Sequence, residues 1–255
     1  MPVADPTRFL LVLARVAGLL LGAPILGHLL VPVRVRAALA LVLALALAPV
    51  VPAVAAAPAT LAGLAGALAA ESALGVLLGL VAEFVFAGVA LGGEMAGLQM
   101  GFGLDGLIDP QARAEVTVVA QWQQLLALLV FLALDVHHLL LRALLASFAS
   151  APPGALALGA LEVRGAVALA GELFALGVRV AAPVMIALLL TNTALGVLAR
   201  TIPQLNAFVV GFPLTLGVGL VVLGAALPFT LGLLETRFAA LEPALGALVR
   251  GLQHG

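Results

Sequence analysis

The chain contains no cysteine, no tyrosine and no lysine among its 255 residues. Without cysteine it forms no disulfide bond and uses no thiol in catalysis. Charged side chains are scarce as well, at 9% of the residues, whereas soluble domains typically carry roughly 25%. Because hydrophobic residues make up 64% of the chain, the composition argues against an ordinary soluble domain.

Sequence motifs for phosphate binding and hydrolysis are missing too. The chain has no GxxxxGK[ST], HExxH or GxSxG motif, and serine is rare. Its net charge is -1 at pH 7, so we expect no nucleic-acid partner. We therefore predict a protein that is not an enzyme and that needs no cofactor.

What the chain has instead is long apolar runs. Three spans carry no charged residue, namely Ala37–Ala70, Val180–Ala199 and Thr201–Leu234. A helix needs roughly 20 mostly apolar residues to cross the hydrocarbon core of a bilayer. The sequence therefore predicts an all-α integral membrane protein, with a single domain over residues 1–255 and a polar C-terminal tail over residues 235–255.

About six long apolar segments are expected to be helical. We place them at Phe9–Leu30, Ala37–Ala57, Glu71–Gln99, Leu125–Leu145, Leu173–Leu198 and Ala207–Leu234. Pro183 is expected to kink the fifth segment, and Pro213 and Pro228 are expected to bend the sixth. Arg15 interrupts the first segment, which we therefore interpret as a retained helix and not as a cleaved signal peptide.

The third segment carries small residues and carboxylates on one face. Glu83, Ala87, Ala90, Glu94 and Gly97 are spaced at i, i+4, i+7, i+11 and i+14, so they line up along a helix. A carboxylate at the bilayer centre costs at least roughly 3 kcal/mol, so neither glutamate is expected to face lipid. Glycines at four-residue spacing let helices approach closely, which predicts tight packing against protein. The glycine pairs are Gly75/Gly79, Gly88/Gly92 and Gly93/Gly97, with Gly18/Gly22 in the first segment.

A glycine-rich stretch, Gly97–Pro110 with the sequence GLQMGFGLDGLIDP, interrupts the apolar pattern. Glycine permits backbone angles that other residues resist, and proline disfavours helix in the residue before it. Irregular backbone at membrane depth persists only where protein covers it or a watery cavity receives it. The stretch therefore indicates a pore, a gate or a tight protein contact. A rigid turn that caps two helices is an equal alternative on these residues alone.

Two further polar features follow along the chain. Asp135, His138 and Arg142 fall at i, i+3 and i+7, which predicts a mutually paired polar line on the fourth segment. His137 is adjacent to His138, and neighbouring helical side chains point about 100° apart, so we predict no metal site there. The second feature is a polar break that begins near Arg200 and includes Pro203, Gln204 and Asn206.

Three runs of the sequence resemble one known family. They are GEMAGLQMGFGLDGLIDPQ (Gly93–Gln111), LLALLVFLALDVHHLLLRALLASFASAPPGAL (Leu125–Leu156) and APVMIALLLTNTALGVLARTIPQLNAFVVGFPLTLGVGL (Ala182–Leu220). Together they are similar to the FliR/SctT family of type III export-gate proteins, and the likeness covers almost the whole chain. The RTIPQLNAFVVGFP block resembles the flagellar branch of that family more closely. Val136 departs from the pattern, because the family usually has glycine there.

The resemblance implies a role in protein export. It implies a core subunit of the flagellar export gate in the bacterial inner membrane, within the flagellar basal body, where unfolded flagellar subunits cross through a pore. FliP and FliQ homologues would be its partners in the gate, with FlhB and FlhA homologues nearby and membrane lipid around it. The resemblance also implies kinked helical hairpins that assemble helically with FliP and FliQ, with parts raised toward the periplasm.

The resemblance further implies functional residues. In the family, the glycine-rich loop after the third helix lies in the pore as a plug, and here that loop comprises Gln99, Met100, Gly101, Phe102, Gly103, Leu104, Asp105, Gly106, Leu107, Ile108, Asp109 and Pro110. From the residues and the resemblance together we expect buried polar or subunit-packing roles for Glu83, Glu94, Asp135, His138, Arg142, Arg200, Pro203, Gln204 and Asn206.

Two rival functions stay open on the sequence. One is a secondary transporter whose site would contain Glu83, Glu94 and Asp135, because intramembrane carboxylates and broken helices also occur in transporters. An inverted repeat would favour a transporter, and none is visible in the sequence. The other rival is a purely structural nucleator of the gate that has no moving plug.

Overall fold

The computed structural model describes residues 5–24, 32–55, 58–102, 116–156, 163–201 and 207–251, except for the side chains of 163–169 and 207–209. Within these ranges the regular structure is helical, as predicted, and no strand occurs. The helices are α1 Pro6–Gly22, α2 Val33–Leu47, α3 Leu61–Met100, α4 Val118–Ala133, α5 Val136–Ser150, α6 Val163–Thr201, α7 Ala207–Ala225, α8 Leu227–Ala239 and α9 Leu241–Gly251.

Helices α3 and α6 are much longer than a membrane span requires. Helix α3 has 40 residues, and it begins at Leu61, well before the predicted start at Glu71. It contains no proline and is dominated by alanine, leucine and glycine, and the first two favour helix strongly. At 1.5 Å per residue it is about 60 Å long, roughly twice the thickness of a hydrocarbon core. Helix α6 has 39 residues and continues through Pro183.

The fourth segment was predicted to be one helix, and that prediction is wrong. Helix α4 ends at Ala133, α5 begins at Val136, and the two are bent by 63°. Asp135 lies between them with φ 53° and ψ 29°, in the left-handed region. A non-glycine residue is uncommon in that conformation, and it cannot continue a right-handed helix. The conformation of this one residue therefore separates the two helices.

The predicted sixth segment is also divided. Helix α7 ends at Ala225 and α8 begins at Leu227, with a bend of 52° between Val210–Ala225 and Leu227–Gly251. Pro228 stands in the first turn of α8, where its missing N–H group costs no helical hydrogen bond. Pro213 lies inside α7, which continues through it.

In the described part of the chain, two helices are long and apolar enough to cross a membrane, Leu61–Met100 and Ala170–Thr201. The number rises to as many as four if each bent pair is taken as one span. The prediction of about six segments therefore stays unconfirmed. The second helix also begins earlier than the predicted segment, because α2 starts at Val33 and not at Ala37.

The chain folds into two compact units, and neither is continuous in sequence. Unit 1 comprises Met1–Phe84, Phe131–Ala170 and Phe238–Gly255, and unit 2 comprises Val85–Val130 and Gly171–Arg237. In unit 1, α1 packs against α2 and α5 packs against α9. The region predicted to be a polar tail contains α9, whose buried residues are Leu241, Leu245 and Val249.

In unit 1, glycines bring the backbones of α1 and α3 into contact. A Cβ atom built at Gly22 would lie 2.6 Å from the carbonyl oxygen of Val76, and one at Gly79 would lie 2.5 Å from the carbonyl carbon of Gly22. Cβ atoms at Gly18 and Gly75 would likewise overlap the backbone of the opposite helix. Two of the glycine pairs that the sequence analysis named, Gly18/Gly22 and Gly75/Gly79, therefore face each other.

In unit 2, glycines of α3 let its backbone approach two other helices closely. A Cβ atom at Gly92 would lie 2.7 Å from the carbonyl oxygen of Gly177 in α6. One at Gly93 would lie 2.5 Å from the Cα atom of Ala120 in α4. The predicted tight packing of α3 against protein is therefore confirmed within the chain itself. Further contacts of the same kind occur at Gly88 and Gly97.

We expect Gly75→Ala to destabilise the protein, because the new methyl group would overlap the carbonyl oxygen of Arg15. Overpacking of this kind costs about 1–3 kcal/mol. The matched control is Gly66→Ala in the same helix, where a Cβ atom has nothing within 4 Å. That change should stabilise the helix by about 0.5–1 kcal/mol, because alanine is a better helix former than glycine. Thermal unfolding in mild detergent would measure both, and equal melting temperatures would contradict the close contact.

Candidate functional site at the end of helix α3

Helix α3 ends inside the stretch that was predicted to form a plug. The N–H group of Gly101 donates to the carbonyl oxygen of Leu98, and that of Phe102 donates to the carbonyl oxygen of Gly97, both at 3.1 Å. These two bonds form a Schellman motif, which satisfies carbonyl groups at a helix end. Gly101 has φ 97°, a value that favours glycine. The first glycine after α3 is therefore a helix cap.

Met100, the last residue of α3, is fully buried in unit 2. A Cβ atom at Gly219 of α7 would lie 2.6 Å from the Cγ atom of Met100, so this glycine makes room for the methionine. Partly buried side chains of α7 pack against the same cluster. Met100 therefore anchors the end of α3 to its neighbours. The other buried members of the cluster are Ala96, Val119, Val184 and Leu188.

The chain returns to the side of α3 at Thr117. The N–H group of Thr117 donates to Oε2 of Glu94 at 3.0 Å, and its Oγ1 atom accepts the N–H of Ala120 at 3.3 Å. The hydroxyl group therefore caps α4, and the carboxylate lies near the positive end of the α4 dipole. A Cβ atom at Gly97 would lie 2.7 Å from the Cβ atom of Thr117, so glycine is needed for this approach.

The structure thus attaches Phe102 and Thr117 to α3. Phe102 is bound through its N–H group to the last turn of α3, and Thr117 is bound to Glu94 of the same helix. Gln99 is exposed and Met100 is buried. The remaining predicted plug residues lie outside the described residues, namely Gly103, Leu104, Asp105, Gly106, Leu107, Ile108, Asp109 and Pro110.

Of the polar line predicted on the fourth segment, the structure shows one contact, between Asp135 and His138. Oδ1 of Asp135 lies 3.1 Å from Nδ1 of His138, and both side chains are exposed. Arg142 is exposed and forms no hydrogen bond or ion pair with any residue that the structure describes. Its predicted partnership with the other two is therefore not seen.

Glu83 is partly buried and has no hydrogen bond or ion pair among the described residues. Arg200 is exposed in the last turn of α6. The expectation that these side chains pack against other subunits stays a prediction. Pro203, Gln204 and Asn206 lie outside the described part of the chain.

One buried polar site in unit 1 was missed by the sequence analysis. The Nε atom of Arg15 in α1 lies 2.5 Å from Oε2 of Glu71 in α3, and both side chains are fully buried. Its Nη1 and Nη2 atoms donate to Oγ of Ser147 and to the carbonyl oxygen of Ala151, both at 3.0 Å. The guanidinium carbon also lies 4.1 Å from the ring centroid of Phe148. Each guanidinium nitrogen therefore has a partner.

Glu71 is also satisfied on both sides. Its Oε1 atom accepts the N–H group of Gly154 at 2.9 Å. Gly154 has φ 80°, so glycine is required for the turn that presents this N–H group. One ion pair therefore joins α1, α3, α5 and the turn after α5.

A sequence signal for this site does exist. Arg15 is the one charge inside the first apolar segment, and a buried charge needs a partner. However, Arg15 and Glu71 are separated by 56 positions, and no local pattern selects this glutamate from the others. The pairing depends on the packing of α1 against α3.

These features define the class of the protein. Long apolar helices pack through glycine, the ion pair in unit 1 is buried, and at least two described helices can span a bilayer. The molecule is an all-helical membrane protein. Comparison with protein families makes this more specific: residues 7–241 match the family described as "Bacterial export proteins, family 1". The chain belongs to this family.

Individual relatives agree with the family match. The flagellar biosynthetic protein FliR of Escherichia coli (strain K12) is 35% identical over 240 residues, which is 94% of this chain and 92% of the relative. The protein of the same name from Caulobacter vibrioides is 34% identical over 222 residues, covering 85% and 87%. The one from Bacillus subtilis (strain 168) is 36% identical over 156 residues, covering 60% of each chain.

We expect Arg15→Met to destabilise the protein by about 3–5 kcal/mol, because it leaves the buried carboxylate of Glu71 without its cation. The double variant with Glu71→Met should recover much of that loss. The matched control is the pair of Arg237 and Glu172 in unit 2, where the glutamate side chain is 62% exposed. Arg237→Met should cost only about 0–1 kcal/mol. Thermal unfolding in detergent measures all three variants, and an Arg15→Met protein as stable as the control would contradict the pairing.

Proposed function

We propose that the protein is a core subunit of the flagellar type III export gate in the bacterial inner membrane, within the flagellar basal body. There it would help to form the pore through which unfolded flagellar subunits cross. The family match over residues 7–241 and the relatives named as flagellar biosynthetic proteins support this function. Its partners in the gate would be FliP and FliQ homologues, with FlhB and FlhA homologues nearby.

The observation that carries the mechanism is the support at both sides of the glycine-rich stretch. The Schellman motif at Gly101 and the bond from Thr117 to Glu94 attach both sides to α3. We propose that Gln99–Pro110 forms the plug of the closed pore. With both sides attached to one helix, the residues between them could move without separating α3 from α4.

The residues of the proposed plug would have two different roles. Met100 is fully buried and Gly101 is a helix cap, so both would serve as the fixed base. The apolar residues that would close the pore then begin after Phe102 and comprise Leu104, Leu107 and Ile108. Gly101 itself fits the alternative of a rigid turn. We propose that the part of the plug that moves begins after Gly101.

The length of α3 and α6 supports an assembly in which the helices do not all cross the bilayer. At about 60 Å, α3 exceeds the hydrocarbon thickness about twofold. We propose that kinked hairpins of this chain assemble helically with FliP and FliQ, and that parts of the helices are raised toward the periplasm. The exposed apolar side chains would then face partner helices as well as membrane lipid.

The charged residues that have no partner among the described residues would contact the other subunits. We propose this for Glu83, Arg142 and Arg200, since a charge at membrane depth requires a partner or water. We propose the same role for Pro203, Gln204 and Asn206. Glu94 and Asp135 have local partners, Thr117 and His138, which favours structural roles and weakens the alternative of a secondary transporter.

The first test of the function is assembly. The chain would be co-expressed with its FliP and FliQ homologues, extracted in mild detergent and weighed by native mass spectrometry. We expect one discrete complex that contains all three proteins. A stable monomer or dimer that ignores both partners would overturn the proposed function and favour the transporter.

The second test concerns the plug. We expect deletion of residues 103–109 to raise the ion leak of membranes that contain the assembled gate, because the apolar residues that close the pore are removed. The matched control replaces the same residues with glycine and serine, so that the length of the chain is kept. Gly101 stays unchanged in both variants because it caps α3.

Membrane potential would be followed with a fluorescent dye, and native mass spectrometry would check that each variant assembles. The deletion should leak severalfold more than the unmodified gate, with the glycine–serine variant between them. An assembled deletion variant that leaks no more than the unmodified gate would rule out the plug and support a structural nucleator.

A further inference from the structure

Three side chains with metal-ligating atoms meet at the start of helix α5. They belong to Asp135, His137 and His138, and one ligand atom from each lies within 4.8 Å of the other two. Oδ1 of Asp135 is 3.1 Å from Nδ1 of His138 and 3.9 Å from Nε2 of His137. All three residues belong to unit 1, and none takes part in the proposed plug.

The side chain of Asp135 does not cap helix α5, although the residue occupies the N-cap position. Asp135 is the N-cap residue of α5, where an aspartate side chain typically accepts a backbone N–H bond from the first turn. Here its side chain forms no capping bond, and the backbone adopts the left-handed conformation. The carboxylate is turned instead toward the two imidazole rings. The usual capping role therefore does not account for its orientation.

His137 has no hydrogen bond at either ring nitrogen among the described residues. Its Nδ1 atom is buried without a partner, and its Nε2 atom is 3.9 Å from the nearest carboxylate oxygen, too far for a hydrogen bond. Only ring contacts hold it, with the centroid of Phe131 at 6.3 Å and that of His138 at 4.1 Å. A cation bound at Nε2 would give this ring one polar partner, while its Nδ1 atom would stay buried without one.

The two histidine rings lie closer together than the sequence analysis assumed when it predicted no metal site. That argument took the two histidines as diverging side chains of a regular helix. In the structure both histidines do lie in helix α5, but their ring centroids are only 4.1 Å apart. The two rings are in contact at an interplanar angle of 39°, and Oδ1 of Asp135 lies within 3.9 Å of a nitrogen of each.

The distances suit a small transition-metal ion. Zinc binds imidazole nitrogen at about 2.0–2.1 Å and carboxylate oxygen at about 2.0–2.2 Å, so two ligands of a tetrahedral site are about 3.3 Å apart. The observed separations of 3.1 and 3.9 Å bracket that value, and the ligand atoms of the two histidines lie within 4.8 Å of each other. Magnesium and calcium prefer sites made of oxygen atoms, which this one is not.

We propose that Asp135, His137 and His138 form a binding site for a divalent transition-metal ion, with zinc as the best match. The three protein ligands leave a fourth position open. The site is reachable, because the three side chains are 70%, 40% and 56% exposed in the order of the sequence. The bound ion links the residue at the break between α4 and α5 to the first turn of α5.

Zinc titration of the purified full chain tests this site. The chain would be prepared in detergent without a histidine tag, freed of metal and titrated with Zn²⁺ against a competing indicator dye. We expect one Zn²⁺ per chain. Asp135→Asn, His137→Ala and His138→Ala should each weaken binding at least about tenfold, since even the outer partners of metal ligands contribute that much. The matched controls are His28→Ala and His254→Ala, which should leave the affinity unchanged.

Cobalt provides a second measurement that reports ligand geometry directly. Co²⁺ bound at this site should show visible absorption bands of tetrahedral strength, and these bands should disappear in His137→Ala. Circular dichroism would check that every variant is folded, and the wild-type titration and spectrum stand even if a variant is not. Absence of Zn²⁺ binding to the wild-type chain would overturn the site. Equal affinity in the three ligand variants and the two controls would overturn it as well.

Discussion

The close approach of other helices to α3 is the constraint on which the rest of the structure depends. Lipid tails are as apolar as leucine, so helices in a membrane associate through packing and hydrogen bonds, without a hydrophobic driving force between them. Glycines of α3 let α1 approach in unit 1 and let α4 and α6 approach in unit 2. The first part of α3 therefore packs by glycine within unit 1, and its last part does so within unit 2.

Polar contacts fix the register that glycine contacts alone leave free. Small residues repeated along a helix would tolerate a shift of one turn, whereas a buried ion pair would not. Arg15 and Glu71 determine how α1 lies along α3, and the bond from Thr117 to Glu94 does the same for α4. The charged residues inside apolar helices therefore specify the arrangement, in the manner known for single polar groups in helical interfaces.

These two kinds of contact, glycine packing and polar bonding, meet at the end of α3 and at the start of α4. The end of α3 is closed by a helix cap and by Met100, which is fully buried. The start of α4 is closed by its own hydroxyl cap and by a carboxylate of α3. Packing and hydrogen bonds therefore fix both of these helix ends.

The sequence by itself determined the all-helical membrane class, the glycine pairs, the end of α3 near Gly101 and the pairing of Asp135 with His138. These properties follow from composition and from contacts between residues a few positions apart, which helical periodicity makes visible. Only the tertiary structure decided the pairing of Arg15 with Glu71, because nothing local links residues 56 positions apart. It also decided the break at Asp135, because a left-handed backbone at a non-glycine residue is held by surrounding contacts that no sequence pattern records.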